Sequence, residues 1–176
     1  IVLEHVSSKY GADFVDSNLN IAGTITPHHM MLTRNDFFRN NNFNPHHFCM
    51  PVVKDEKDLI ALRSYACSGN NNFFLGTDSA PHHIDTKTPD FNSKAGIYSA
   101  PCSIELYANI FEEENSLNNL EKFSSINGAN FYNLEVNTKY LKLVRNVWKV
   151  PEFTIYKEIK IKNFMAGKEI NWKVYE

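Results

Sequence analysis

The sequence predicts a parallel α/β fold, because predicted strands and helices alternate along the chain. The order is strand, helix, strand, long irregular segment, helix, strand and helix, and such alternation is typical of a parallel sheet with helical crossovers. Each of the three strands is also followed by histidine or aspartate. Catalytic groups in βα barrels lie at the carboxyl ends of the strands, so the fold class predicts where a site would lie.

The first elements follow from short apolar runs. Residues 1–6 start with β-branched side chains and predict a buried strand. Ser7 and Ser8 are suitable caps for a helix over 9–15. Residues 21–26, "IAGTIT", predict a second strand that ends before Pro27.

The middle of the chain carries the next helix and strand. Residues 55–68 show helical periodicity, with Asp55 as a suitable N-cap and Gly69 as a stop. Residues 73–77 predict the third strand, which ends at Asp78. The polar loop that follows, over 83–99, is long enough to be functional or disordered.

The C-terminal third is predicted to be helical at first. A helix over 101–114 begins at a proline, and two short helices are expected over 117–123 and 127–134. Residues 141–151 are mixed in character. Residues 168–175 alternate in polarity and predict an edge strand or hairpin partner.

Composition excludes several classes of protein. The 176 residues are 43% hydrophobic, which is ordinary for a globular domain, and the net charge of -2 offers no basic field for nucleic acid. No apolar run is long enough to span a membrane. Three cysteines without a CxxC pair argue against a disulfide framework and fit a reducing, cytoplasmic compartment. The chain opens inside a predicted strand without Met, so we expect it to be a piece of something larger.

The strand ends carry the candidate site residues. His5, the pair His28-His29, and Asp78 with His82 place imidazole and carboxylate groups at one end of the sheet, and zinc takes such ligands in hydrolytic sites. The simpler interpretations stay open from the residues alone. Asp78 is an equally good turn residue, and His5 or the His28-His29 pair are more often structural.

Four segments together resemble dihydroorotase, the single-polypeptide bacterial type. They are "LEHVSSK" (3–9), "TITPHHMM" (24–31), "NPHHFCMPVVK" (44–54) and "GTDSAPH" (76–82). "SAPCSIELYANIFEEEN" and "FMAGKEINWKV" are similar to the same family further on. The resemblance covers nearly the whole chain, in order and with compatible spacing.

The resemblance implies a fold and a role for individual residues. The family is an amidohydrolase-type (β/α)8 barrel with two zinc ions that interconverts dihydroorotate and N-carbamoyl-aspartate in pyrimidine synthesis. His5 then looks like a metal ligand, and Asp78 like a metal ligand and the general acid/base. His82 looks like a contact to the substrate carboxylate, and Met50 and Ala95 like positions whose backbone groups bind the substrate ring.

The resemblance also implies that this chain is incomplete. It would supply about strands six to eight and the following helices, with 1–150 as the barrel half and 151–176 as an extension packed on it. The His-x-His pair, the carboxylated lysine that bridges the metals, and further substrate ligands belong to an N-terminal barrel half. A three-stranded piece cannot close an eight-stranded barrel, so the chain alone is expected to be inactive. By the same resemblance the parent protein is expected to be a cytosolic homodimer.

Two other functions stay open from the sequence. The chain could be a dihydroorotase-like module that no longer reacts and serves as a partner or scaffold. It could also belong to another cyclic-amide hydrolase of the same superfamily, although the segments over 44–51 and 76–82 favour dihydroorotate.

Overall fold

The computed structural model describes residues 1–39, 42–90 and 92–175. Its strands are β1 (Val2–Leu3), β2 (Ala22–Ile25), β3 (Phe38–Arg39), β4 (Asn42–Phe43), β5 (Phe73–Leu75), β6 (Leu143–Lys149), β7 (Phe153–Tyr156), β8 (Ile159–Lys162) and β9 (Glu169–Val174). Its α-helices are α1 (Lys9–Asp16), α2 (Arg34–Phe37), α3 (Glu56–Cys67), α4 (Ser103–Glu113) and α5 (Asn127–Phe131).

A three-stranded parallel sheet in the order β1-β2-β5 lies at the centre of the fold. Val2 pairs with Ala22, and Gly23 pairs with Phe73. All four residues of β2 are buried, as expected for a central parallel strand that is covered on both faces. The predicted mixed α/β fold with parallel strands is therefore confirmed, and the carboxyl ends of the three strands lie at one edge.

Helices α1 and α3 begin where the sequence predicts, whereas α4 begins at Ser103, after a 3₁₀ turn over Ala100–Cys102 that contains the proline predicted to start it. The side chain of Ser8 accepts a hydrogen bond from the Gly11 N–H and caps α1, which satisfies one of the free donors of the first turn. Asp55 occupies the N-cap position of α3. From α4, the fully buried Tyr107 donates its hydroxyl to the Ile25 carbonyl at 2.7 Å, so α4 is fixed to the end of β2.

The segment between α4 and β6 is less regular than predicted. A 3₁₀ turn over Leu117–Asn119 and a π-helical turn over Lys122–Ile126 precede the short α5. Phe123 is buried against Tyr107 and Phe111 of α4. Aromatic packing therefore fixes this segment against α4.

Antiparallel ribbons form the C-terminal part. The predicted strand over 168–175 is present as β9, and its partner is β6 within the stretch that looked mixed in sequence. The ribbon is tied to α4, because the Asn171 N–H donates to the Asn109 side chain at 3.2 Å. Strands β7 and β8 form a second ribbon. The predicted division at residue 150 falls between β6 and β9, which are hydrogen-bonded to each other, and it stays a prediction.

Three further expectations concern cysteines, membranes and the long loop. All three cysteines are buried and free, as their number predicted. Within the described ranges, no helix has both the length and the apolar character needed to cross a bilayer. In the loop over 83–99, of which Phe91 lies outside the described residues, a 3₁₀ turn forms over Ile84–Thr86 and Ser79 bridges to Ile97.

Candidate functional site

His5 and Asp78 share an uncommon backbone conformation at the edge where the parallel strands end. His5 follows β1 with φ 44°, and Asp78 follows β5 with φ 43°. Residues other than glycine rarely adopt this left-handed region, and such conformations cluster at active sites. The two positions were predicted as metal ligands, and the fold brings them to the same edge.

Thr24 connects the two strand ends. Its hydroxyl accepts a hydrogen bond from the His5 N–H at 2.7 Å and donates to the Glu4 carboxylate at 3.0 Å. Gly76 lies against the same side chain, since a Cβ at that position would fall 2.5 Å from the Thr24 Cβ. Only glycine therefore allows the segment that leads to Asp78 to lie this close to the end of β2.

The surroundings of Asp78 raise the pKa of its carboxyl group. Although the residue as a whole is exposed, partial burial of its carboxyl group raises the pKa of Asp78, and the nearby His5 opposes this rise. The Glu4 carboxylate raises the pKa of Asp78 further, because like charges disfavour ionisation. A carboxyl group whose pKa is shifted by burial and by specific neighbouring charges marks a candidate functional residue.

His5 and Asp78 fit part of a zinc site. The His5 Nδ1 is buried and has no hydrogen-bond partner among the described residues, and a buried ring nitrogen normally has one. A neutral imidazole nitrogen and a carboxylate oxygen are both ordinary zinc ligands. Two such groups do not complete a coordination sphere, so a site here needs ligands from outside these strand ends.

A second group of possible ligands is only partly hydrogen-bonded, since both buried ring nitrogens of His28 are without a hydrogen-bond partner among the described residues. His28, His29 and Cys49 are buried and place one ligand atom each within 4.8 Å of the others. Both ring nitrogens of His29 are engaged, with the Thr26 hydroxyl at 2.8 Å and the Pro51 carbonyl at 2.9 Å. Burial raises the pKa of the Cys49 thiol to about 11, which disfavours the thiolate that metals bind. His29 therefore ties the end of β2 to the segment around Pro51.

The predicted substrate contacts lie on loops beside this edge. The His82 Nε2 lies 2.8 Å from the Ala95 carbonyl, so these two predicted residues are in direct contact. Met50 is 61% exposed. Within the described residues, neither the Met50 nor the Ala95 N–H donates a hydrogen bond, which leaves both backbone groups available to a ligand.

Sequence reasoning missed two residues that organise the site. Thr24 had a detectable signal, since it is a polar residue inside the apolar run "IAGTIT". Lys87 had none, because it lies in a polar loop. In the structure Lys87 is only 8% exposed, and its ammonium group donates to three backbone carbonyls.

Comparisons with known proteins point in one direction. No protein-family model matches the chain. The curated "Dihydroorotase" of Coxiella burnetii is 42% identical over 175 residues, which cover 99% of this chain and 50% of that protein. The "Dihydroorotase" of Pseudoalteromonas atlantica is 45% identical over 174 residues, 98% of this chain and 50% of that protein. The chain thus spans about half the length of these relatives.

Solved structures agree with the sequence comparison. A Campylobacter jejuni dihydroorotase structure superposes with a TM-score of 0.90 at 33% identity, over 100% of this chain and 51% of that one. Dihydroorotase of Saccharomyces cerevisiae, in complex with 5-fluoroorotic acid, gives 0.88 at 32% identity over 99% and 51%. A D-hydantoinase gives 0.77 at 12% identity over 98% and 42%, which shows a common fold alone.

Proposed function

The predicted resemblance to dihydroorotases is confirmed over the whole chain, and we propose from it that the chain is the C-terminal half of a dihydroorotase. It would supply about strands six to eight of a (β/α)8 barrel and the helices that follow, with 151–176 as an extension. The observation that carries the proposal is the coverage, since 98% of the chain or more aligns with about half of each relative. The parallel β1, β2 and β5 are the proposed barrel strands.

The reaction we propose is the reversible hydrolysis of (S)-dihydroorotate to N-carbamoyl-L-aspartate, a step of pyrimidine biosynthesis. Water adds across the ring amide, so that its hydroxide joins the carbonyl carbon and its proton ends on the ring nitrogen. Asp78 takes the proton from water and returns it to the leaving nitrogen. The direction of its pKa shift supports this role, because a rise moves the pKa of the carboxyl group toward the working pH, where general acid/base catalysis is most effective.

His5 and Asp78 are the residues of this chain that would hold metal. The buried, unpartnered His5 Nδ1 supports this assignment. When bound, two zinc ions supply Lewis acidity for the amide carbonyl and make hydroxide available at neutral pH. The bridging carboxylated lysine and the remaining ligands would come from the N-terminal barrel half.

His82, Met50 and Ala95 are proposed to hold the substrate. His82 would contact the substrate carboxylate while its Nε2 stays on the Ala95 carbonyl. The free N–H groups of Met50 and Ala95 would bind the polar edge of the ring. Fixing an anionic group and a ring edge together orients the amide for attack, which lowers the entropic part of the barrier.

The proposed metal site is incomplete in this chain. Only part of each metal's ligand set is present, so the chain alone is proposed to be inactive and to need the N-terminal barrel half. The parent protein is proposed to be a cytosolic homodimer.

Ring opening by the parent protein tests the proposal. The purified protein, supplied with zinc, is assayed with dihydroorotate and, in parallel, with a hydantoin. We expect turnover of dihydroorotate and little turnover of the hydantoin. The reverse preference would assign the chain to another cyclic-amide hydrolase. A folded, zinc-loaded parent that turns over neither compound would support the inactive partner or scaffold.

A further inference from the structure

Lys87 is a buried cation surrounded by backbone carbonyls. Its ammonium nitrogen lies 2.7 Å from the Gly96 carbonyl, 2.8 Å from the Lys94 carbonyl and 3.3 Å from the Phe48 carbonyl. An ammonium group has three protons to donate, so each one has an acceptor. Among the described residues, no carboxylate forms an ion pair with Lys87.

Burying this cation without a charged partner is costly. Lysine is almost never fully buried without a charged partner, and burial lowers the pKa of Lys87 to about 8. The lysine therefore stays mostly charged at neutral pH, held by carbonyl dipoles alone. An exposed lysine in this loop would avoid the cost of burying its charge, which indicates that the three hydrogen bonds serve a purpose beyond packing.

The three carbonyls belong to the two segments that carry the proposed backbone contacts to substrate. Phe48 lies two residues before Met50, and Lys94 and Gly96 flank Ala95. The Gly96 N–H also donates to the Phe48 carbonyl at 2.8 Å. Lys87 thus joins both segments at a single point.

The loop around Ala95 has little freedom once it is joined in this way. Gly96 has φ 142°, and a Cβ there would fall 2.6 Å from the Ala80 Cβ and 2.8 Å from the His82 Nε2. The loop backbone therefore lies directly on His82. A small shift of the loop would move the Ala95 N–H, the His82 contact and the Met50 segment together.

We propose that Lys87 is a positioning residue that holds the Met50 and Ala95 backbone segments in register for substrate binding. The inference rests on the proposed function, because it concerns the same substrate. Lys87 acts through the loops and touches neither the substrate nor the reacting atoms. Its loss is expected to weaken substrate binding more than the chemical step, which Asp78 serves from a separate strand end.

The test uses the full-length parent protein with Lys87→Met and Lys87→Arg. Methionine removes the donors and the charge, and arginine keeps the charge on a planar group that cannot aim at three carbonyls. We expect KM for dihydroorotate to rise about tenfold or more in Lys87→Met, with kcat within about threefold. Lys87→Arg should raise KM by less.

Lys122→Met is the matched control. Lys122 also donates to a backbone carbonyl, that of Gly69 at 2.6 Å, but this bond joins elements away from the proposed site. Its loss should leave KM unchanged. An unchanged KM in a folded Lys87→Met protein would overturn the proposal, and so would failure of both Lys87 variants to fold, which would assign the residue to stability.

A second measurement separates this inference from the proposed function. Amide hydrogen exchange reports the Gly96 N–H directly and needs no activity. The Gly96 N–H should exchange faster in Lys87→Met than in the unsubstituted protein, while the exchange rates of the α1 amides stay unchanged and serve as an internal reference. If the unsubstituted protein does not turn over dihydroorotate, the proposed function fails by itself. Equal exchange at Gly96 would then overturn the positioning role separately.

Discussion

Replacing Gly76 by alanine tests the close approach that joins the two proposed metal ligands. The new Cβ would lie 2.5 Å from the Thr24 Cβ and 2.9 Å from both its Cγ2 and Oγ1. Non-bonded carbons rest at about 3.5–4.0 Å, so the two backbones must separate by about 1 Å. Forced overpacking of this kind typically costs about 1–3 kcal/mol.

The same shift should lower the rate of turnover strongly while it lowers the free energy of unfolding only moderately. Thr24 accepts the His5 N–H, and Gly76 precedes Asp78 by two residues, so the separation moves both groups relative to each other. A misplacement of about 1 Å at a reacting group can cost about 100-fold in rate. We therefore expect dihydroorotate turnover by the parent protein to fall about 100-fold, with a loss of about 1–3 kcal/mol in the free energy of unfolding.

The assay pairs turnover with denaturant unfolding, and Gly11→Ala is the control. Gly11 lies in α1, and a Cβ there would lie 3.2 Å from the Cγ1 of Val6, which precedes the helix. The gain of about 1 kcal/mol in helix propensity offsets this contact. That variant should keep its activity. If Gly76→Ala retains both full turnover and full stability, the reasoning about Thr24 is refuted.

Three other predictions follow from the site. Asp78→Asn should lower turnover at least about 100-fold, since the proposed general acid/base is removed, while the unfolding midpoint changes little; retained turnover would exclude the role. Chelation of metal should abolish turnover, and added zinc should restore it in the unsubstituted protein. His29→Leu should cost about 1–3 kcal/mol, because the Thr26 hydroxyl and the Pro51 carbonyl each lose their hydrogen bond to the buried imidazole ring. Burial lowers the pKa of His29 to about 4 from an ordinary 6.5, so between these values the unfolded chain takes up a proton that the folded protein excludes. The stability that depends on neutral His29 is complete above pH 6.5 and falls by up to about 1.4 kcal/mol per pH unit toward pH 4. The free energy of unfolding, measured with denaturant at several pH values in this range, should therefore depend more steeply on pH in the unsubstituted protein than in His29→Leu. Equal pH dependence in the two proteins would contradict the assignment.

The sequence predicts the parallel sheet because its strands appear as apolar runs. All four residues of β2 are buried, whereas the predicted buried strand over 1–6 forms only the short edge strand β1, in which Leu3 is exposed. The predicted parallel order also places His5 and Asp78 at one edge, since parallel strands end on the same side. Strand β6 is different. Its residues are mostly half-buried or exposed, so it has no clear period, and it depends on β9, more than twenty residues further along the chain.

The loops could not be predicted for a related reason. The Lys87 ammonium group donates to the carbonyls of Phe48 and of the two residues that flank Ala95. Phe48 lies 39 residues away in the sequence, and a local sequence pattern does not predict contacts between such distant residues. The engagement of both His29 ring nitrogens is likewise visible only in three dimensions. Sequence pattern alone left His29 open as either a ligand or a structural residue.

Reconstitution of activity from two halves tests the central claim most directly. Dihydroorotate hydrolysis is measured, with zinc supplied, for this chain alone, for the remaining N-terminal part of the parent protein alone, and for the two expressed together. We predict no turnover by either part and turnover by the combination, which Asp78→Asn in this chain abolishes. Turnover by this chain alone would contradict the claim that it holds only part of each metal's ligand set.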